Sequence, residues 1–248
     1  MSTSLATQLG RPLALHPDRT LPADPSTRAV ARSIYEQVKD LPIISMHGHV
    51  DAAVFADNQP FADPAQLLIV PDHYVCRMLY SQGVRPEQMG IPRVDGGHTE
   101  TDSRAIWRRF CEAWPLLRGT PSRHWLEEEF GTVFGLTEQP GADNADALYD
   151  QISAVLADPT FRPQQLLDRF DIELISTTDP AGSDLSQHAA LHAQGLGARV
   201  LPTFRPDAVV YLDRADWQPS IEALGETSGI DVSSYRGYLD ALRERRQA

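Results

Sequence analysis

Leu41-Pro42-Ile43-Ile44-Ser45-Met46-His47-Gly48-His49 decides the reading of this chain. A short apolar run, with Pro42 in front and a polar His-Gly-His behind, reads as a buried β-strand ending at a polar site. Side chains alternate faces along extended backbone, so positions 47 and 49 point the same way and both imidazoles can reach one divalent ion. Gly48 between them lets backbone and ligand approach closely. Eight histidines in 248 residues give such a pair by chance in about one chain in four, so spacing alone decides nothing. Position gives it weight, because the carboxyl end of the first strand of a βα barrel is where such folds put their active sites.

Working outward towards the N-terminus, Ser26–Asp40 places Val30, Ile34, Tyr35 and Val38 near one helical face, with Asp24 or Ser26 as its cap and Pro42 beyond its end. Residues 1–25, rich in Pro, Thr and Ser, read as an arm, and 26–50 as the first barrel helix and strand. Beyond Asp51 the texture changes. Helical patterns recur at 64–82, 101–117, 122–134 and 143–157 between Gly and Pro turns, which makes 51–163 a helical insertion. From 164 to 248 strand and helix alternate again: a helix over Arg162–Arg169, a strand over 172–178, a helix over Leu185–Gln194, a strand over 199–204, then two helical stretches. The expected fold is α/β, a distorted (β/α)8 TIM barrel of which 43–46, 172–178 and 199–204 are about the first three strands. The chain is expected to stop before the remaining strands.

Bulk properties narrow the function. A net charge of −12 offers no basic face to neutralise phosphates, which excludes nucleic acid as a partner but leaves room for a few arginines inside a pocket. No apolar stretch approaches the ~18 residues of a membrane helix, and the N-terminus lacks a leader pattern, so a cytoplasmic protein is expected. Cys76 and Cys111 have no CxxC or CxxH spacing and read as buried thiols.

Other residues able to carry chemistry cluster at element ends. Asp72 after Pro71 caps a helix that begins His73-Tyr74; Tyr74 is either a half-buried ring or, with a cation to lower a phenol pKa of ~10, a proton donor and acceptor. Arg205, in Thr203-Phe204-Arg205-Pro206-Asp207, suits a bidentate grip on a carboxylate, or a structural pair with Asp207 or Asp213. Thr177-Thr178-Asp179 either faces the site or caps the next helix. Three strands in turn deliver polar residues at the same end. His124-Trp125 could cover a sugar, although core packing is the commoner use. His188 and His192, four apart on a helix outside the barrel, read as a solvated face, and His98 sits in a loop without a role.

Taken in order, Pro42 to His49, Asp72-His73-Tyr74 with Arg77-Met78 and Gly83-Val84, His124-Trp125, Thr177-Thr178-Asp179 and Leu201 to Asp207 resemble the uronate (glucuronate) isomerases of the amidohydrolase superfamily. The resemblance implies a distorted (β/α)8 barrel with a helical insertion after its first strand. It implies aldose–ketose isomerisation of D-glucuronate to D-fructuronate and of D-galacturonate to D-tagaturonate, in hexuronate catabolism. His47 and His49 would ligate a divalent metal, commonly Zn²⁺, Tyr74 would take part in proton transfer between C1 and C2, and Arg205 would hold the anionic hexuronate. This chain has Ser45 where the family carries Asp, and Thr177-Thr178-Asp179-Pro180-Ala181 where it reads Thr-Thr-Asp-Asp-Pro. A two-histidine site is also short of the three protein ligands of catalytic zinc. The competing readings are a metal-dependent hydrolase of the same superfamily, and a non-catalytic remnant or assembly subunit that completes its barrel with another chain. Oligomeric state stays open.

Overall fold

In a computed structural model, which describes residues 11–247, the elements run α1 (Pro25–Val38), β1 (Ile43–Ser45), α2 (Ala52–Asp57), α3 (Pro64–Leu68), α4 (His73–Ser81), α5 (Ser103–Ala113), α6 (Pro121–Glu128), α7 (Ala145–Leu156), α8 (Pro163–Arg169), β2 (Ile172–Ser176), β3 (Asp179–Pro180), α9 (Ser186–Ala193), β4 (Val200–Leu201), β5 (Phe204–Arg205), α10 (Asp207–Val210), α11 (Trp217–Ser228) and α12 (Tyr235–Arg245). The first ten residues of the expected arm lie outside the described residues. Contacts divide the chain into two compact units, 11–39 with 60–162 and 40–59 with 163–247. The division differs from the grouping read from sequence at two points. Helix α1 goes with the helical unit rather than with β1, and 51–59 stays with the strands because Ala52 and Phe55 are buried against Leu167, Leu191 and Val200.

The helical unit is organised around aromatic rings. Trp107, Phe110, Trp114 and Phe130 are almost completely buried, with ring centroids 5.3 to 6.2 Å apart in tilted and edge-on contacts. The Trp107 indole N–H donates to the Ala145 carbonyl at 2.8 Å, which ties α5 to the start of α7. Side-chain caps start most of the helices: Asp24 accepts from the Thr27 amide, Asp63 from Ala65 and Gln66, Asp72 from Tyr74 and Val75, and Asp102 from Arg104. The pattern over 64–82 resolves into α3 and α4, separated at Pro71-Asp72 by the third of these caps. The stripe on α1 faces solvent: Val30 is 62% exposed and Ile34 59%.

The strand unit holds a three-stranded parallel sheet in the order β1-β2-β4. β3 and β5 form a separate two-stranded parallel pair, yet the hydrogen bonds run on between the same two segments. The amides of Ile175, Thr177, Asp179 and Ala181 donate in two-residue steps to the carbonyls of Arg199, Leu201, Thr203 and Arg205. The expected strand 172–178 shortens to β2, with β3 just beyond its end, and the expected strand 199–204 divides into β4 and the start of β5 on either side of Pro202-Thr203. Helices α2, α8 and α9 cover one face of the sheet. The other expectation to correct is burial of β1. Ile43 is 48% exposed and Ile44 58%, because β1 is an edge strand and neither of its faces is covered among the described residues. A second small core, Ala181, Val209, Leu224 and Ala241, packs α10, α11 and α12 beneath β3 and β5.

Candidate metal and substrate site

Because β1, β2 and β4 are parallel, their carboxyl ends gather the residues that follow them. His47 and His49 follow β1, and their Nε2 atoms approach to 2.9 Å with the rings edge to face, 4.7 Å between centroids. Gly48 between them lies against β2, where a Cβ would sit 2.4 Å from the Ser176 carbonyl oxygen. Only glycine lets the two strand ends come this close, and that approach sets both imidazoles on one side.

The pair has the chemistry of a metal anchor. At this spacing one ring's N–H can donate to the other's nitrogen, and with both nitrogens free of hydrogen the two imidazoles would offer their lone pairs to one divalent ion. Both rings are exposed, so an ion can reach them without rearrangement of the core. Among the described residues no group of three His, Cys, Asp or Glu is arranged to hold an ion, so these imidazoles by themselves amount to two ligands.

β2 and β5 contribute next. Thr177 is fully buried, and its hydroxyl meets Asp179 Oδ2 at 2.6 Å and His188 Nε2 at 2.9 Å. Asp179 does not cap the following helix, whose N-cap position is Leu185 in the left-handed region at φ 54°. A cavity of about 200 Å³ opens here, lined by Asp51, Thr178, Asp179, Asp184, Ser186 and His188. His188 corrects the sequence reading: only 10% of its side chain is exposed, and it faces the strand end rather than solvent, while His192 is exposed as expected. Leu185, His188 and Leu191 recur in steps of three, and Leu191 is fully buried, so helical periodicity carried the signal that the four-residue spacing of the histidines hid. Arg205 lies on β5 with its guanidinium spread over Asp207, Nε to Oδ2 at 3.1 Å and Nη2 to Oδ1 at 3.4 Å. This pairing holds the Asp207 carboxyl below the usual carboxylate range.

Tyr74 and the His124-Trp125 pair belong to the helical unit. Tyr74 is 50% exposed on the first turn of α4, with the Trp125 ring edge-on at 6.3 Å. Trp125 is itself 56% exposed, so it is not a core residue. Near this pair sequence reasoning missed Glu129, the first residue of a π-turn that continues α6. Burial, and then the charge of Asp72, push its carboxyl up to about 7.

The model of the UxaC family, described as glucuronate isomerase, matches residues 26–247. The chain belongs to the glucuronate isomerase family. A uronate isomerase of Rhizobium meliloti is 50% identical over 232 residues, covering 94% of this chain and 50% of its own length. One of Xanthomonas euvesicatoria is 51% identical over 234 residues, again 94% of this chain and 50% of the relative. Among solved structures, the glucuronate isomerase of Caulobacter crescentus superposes with a TM-score of 0.90 at 48% identity, over 96% of this chain and 49% of that one. The uronate isomerase of Thermotoga maritima gives 0.79 at 28% identity, over 88% and 46%. This member of the glucuronate isomerase family therefore spans about half the length of the relatives it matches.

Proposed function

We propose that this chain carries the metal-anchoring and carboxylate-binding part of an aldose–ketose isomerase, acting on D-glucuronate and D-galacturonate within a distorted (β/α)8 barrel. Family membership and the parallel βα arrangement support the reading. The observation that carries it is the convergence of His47 and His49 Nε2 to 2.9 Å beyond the carboxyl end of β1.

His47 and His49 would hold a divalent ion, and imidazole donors favour Zn²⁺ over Mg²⁺ or Ca²⁺. Bound there, the ion would supply a positive centre for the charge that grows on the substrate oxygens as the C2 proton leaves. Arg205 offers the uronate carboxylate a two-pronged grip. Its present partner, Asp207, is 43% exposed and Arg205 itself 41%, so water screens their pairing and it exchanges readily for a substrate anion. Tyr74 takes part in moving the proton between C2 and C1 through a cis-enediol. The C1 carbonyl becomes a hydroxymethyl group as the C2 hydroxyl becomes a ketone, so the step balances without an external oxidant or reductant. Cytoplasmic hexuronate catabolism goes with this reading. A small-molecule hexuronate is the partner, and the charge of −12 gives nucleic acid no basic face.

The test is a chimera joining residues 1–248 to the part of the Caulobacter crescentus chain that this chain does not cover. Supplied with zinc and D-glucuronate labelled with ¹³C at C1, it should convert the label to the hydroxymethyl carbon of a ketose. His47→Ala in the chimera should abolish that signal and lower the zinc content. A folded, zinc-loaded chimera that makes no ketose from either uronate would refute the proposal.

A further inference from the structure

Thr177 has one hydroxyl proton and three neighbours that could take it: Asp179 Oδ2 at 2.6 Å, His188 Nε2 at 2.9 Å and the Leu201 carbonyl at 3.2 Å. Thr177 is fully buried, so water cannot settle the account. A carboxylate is the strongest acceptor of the three and lies nearest, so the hydroxyl proton goes to Asp179. The threonine oxygen is then left with lone pairs. The Leu201 carbonyl has no hydrogen to offer it, and His188 is the one neighbour that can donate. We infer that His188 is a positioning residue: its Nε2–H holds the Thr177 hydroxyl, which in turn holds the Asp179 carboxylate at the carboxyl end of β2.

The elements around it fit that role. Leu185, in the left-handed region at φ 54°, turns the chain into α9 so that His188 on the first turn meets the strand end. His188 and Asp179 are 10% and 14% exposed, so their hydrogen bonds are little weakened by competing water. His188 Nδ1 lies 3.8 Å from Asp179 Oδ1, too far for a hydrogen bond, which leaves Thr177 as the link between them. With Oδ2 engaged by the hydroxyl, the plane of the Asp179 carboxylate is fixed in the wall of the 200 Å³ cavity. A carboxylate fixed in this way can receive substrate hydroxyls without first losing rotational freedom. What Asp179 serves rests on the isomerase reading; the direction of the hydrogen bonds does not.

The experiment uses the chain of 248 residues. Long-range ¹H–¹⁵N spectra of the histidine rings should give His188 as the Nε2–H form, with that proton protected from exchange with solvent. Thr177→Val removes its acceptor and should speed the exchange at least about tenfold. His188→Gln keeps an N–H donor and should leave the Asp179 ¹³Cγ frequency close to wild type, whereas His188→Leu should shift it. A His188 ring protonated at Nδ1 alone, or exchange unchanged in Thr177→Val, would overturn the inference. So would an Asp179 signal indifferent to His188→Leu. If the leucine variant fails to fold, the glutamine and valine variants still decide. None of these readouts depends on ketose formation, so a failure of the isomerase reading would be seen separately.

Discussion

Glu129 makes the stability of the helical unit depend on pH in a direction opposite to that of a salt-bridged carboxylate. Its folded pKa is about 7 against an ordinary 4.5, first because burial strips water from the charged form and then because Asp72 repels it. The folded state therefore binds this proton more tightly than the unfolded state does. Below pH 4.5 the group is protonated in both states and costs nothing; between 4.5 and 7 stability falls as pH rises, and above 7 the full penalty is in place. A shift of this size corresponds to about 3 kcal/mol. Glu129→Gln keeps the shape and cannot ionise, so its stability relative to wild type should rise by about that amount from pH 4.5 to 8. With a urea m-value of about 2 kcal/mol/M, the midpoint of the variant should gain about 1.5 M relative to wild type over that range. Tryptophan fluorescence is a suitable probe, because Trp107, Trp114 and Trp125 all lie in this unit. A difference between variant and wild type that is the same at pH 5 and pH 8 would refute the reasoning, since it would reflect a lost contact rather than a displaced ionisation.

Other outcomes follow from packing and from the site. Gly48→Ala would drive a Cβ to 2.4 Å from the Ser176 oxygen, so the strand ends must part; the Nε2 atoms of His47 and His49 should separate, and zinc affinity in dialysis should fall even though no ligand is removed. Trp107→Ala empties the centre of the aromatic cluster and orphans the Ala145 carbonyl, with an expected loss of about 3–5 kcal/mol in urea unfolding. Burial raises the thiol pKa of both Cys76 and Cys111, so an aromatic disulfide reagent should label neither until denaturant is added. In the chimera, Arg205→Ala should raise KM for uronates more than for neutral aldoses, and an equal effect on both would remove the carboxylate assignment.

Local chemistry was the most legible part of the sequence. Asp24 and Asp72, read as caps, each stand one residue before a helix and accept a first-turn amide, and Asp63 and Asp102, not read as caps, obey the same rule, which needs no knowledge of the rest of the fold. The approach of His47 to His49 was legible for a similar reason, because an i, i+2 relation acts over two residues, although β1 itself ends at Ser45. Burial was less so. Ile43-Ile44 and the stripe Val30, Ile34, Tyr35, Val38 have the pattern of surfaces that pack, yet all are exposed, since a pattern says that a face can be buried and not what would cover it. His188 was misread because its helix was placed outside the barrel and given a solvated face, although the apolar periodicity of that helix sets His188 on the same side as Leu191. The raised carboxyl of Glu129 arises first from burial, on a π-turn whose extra residue no local propensity announces, and then from Asp72, 57 positions earlier in the chain.

The most direct test of the central claim is zinc binding by the 248-residue chain, measured by equilibrium dialysis and elemental analysis. The geometry at His47 and His49 predicts about one zinc per chain at saturation, lost in His47→Ala and in His49→Ala while the far-ultraviolet circular dichroism stays that of the wild type. Zinc content unchanged in the double variant would contradict it.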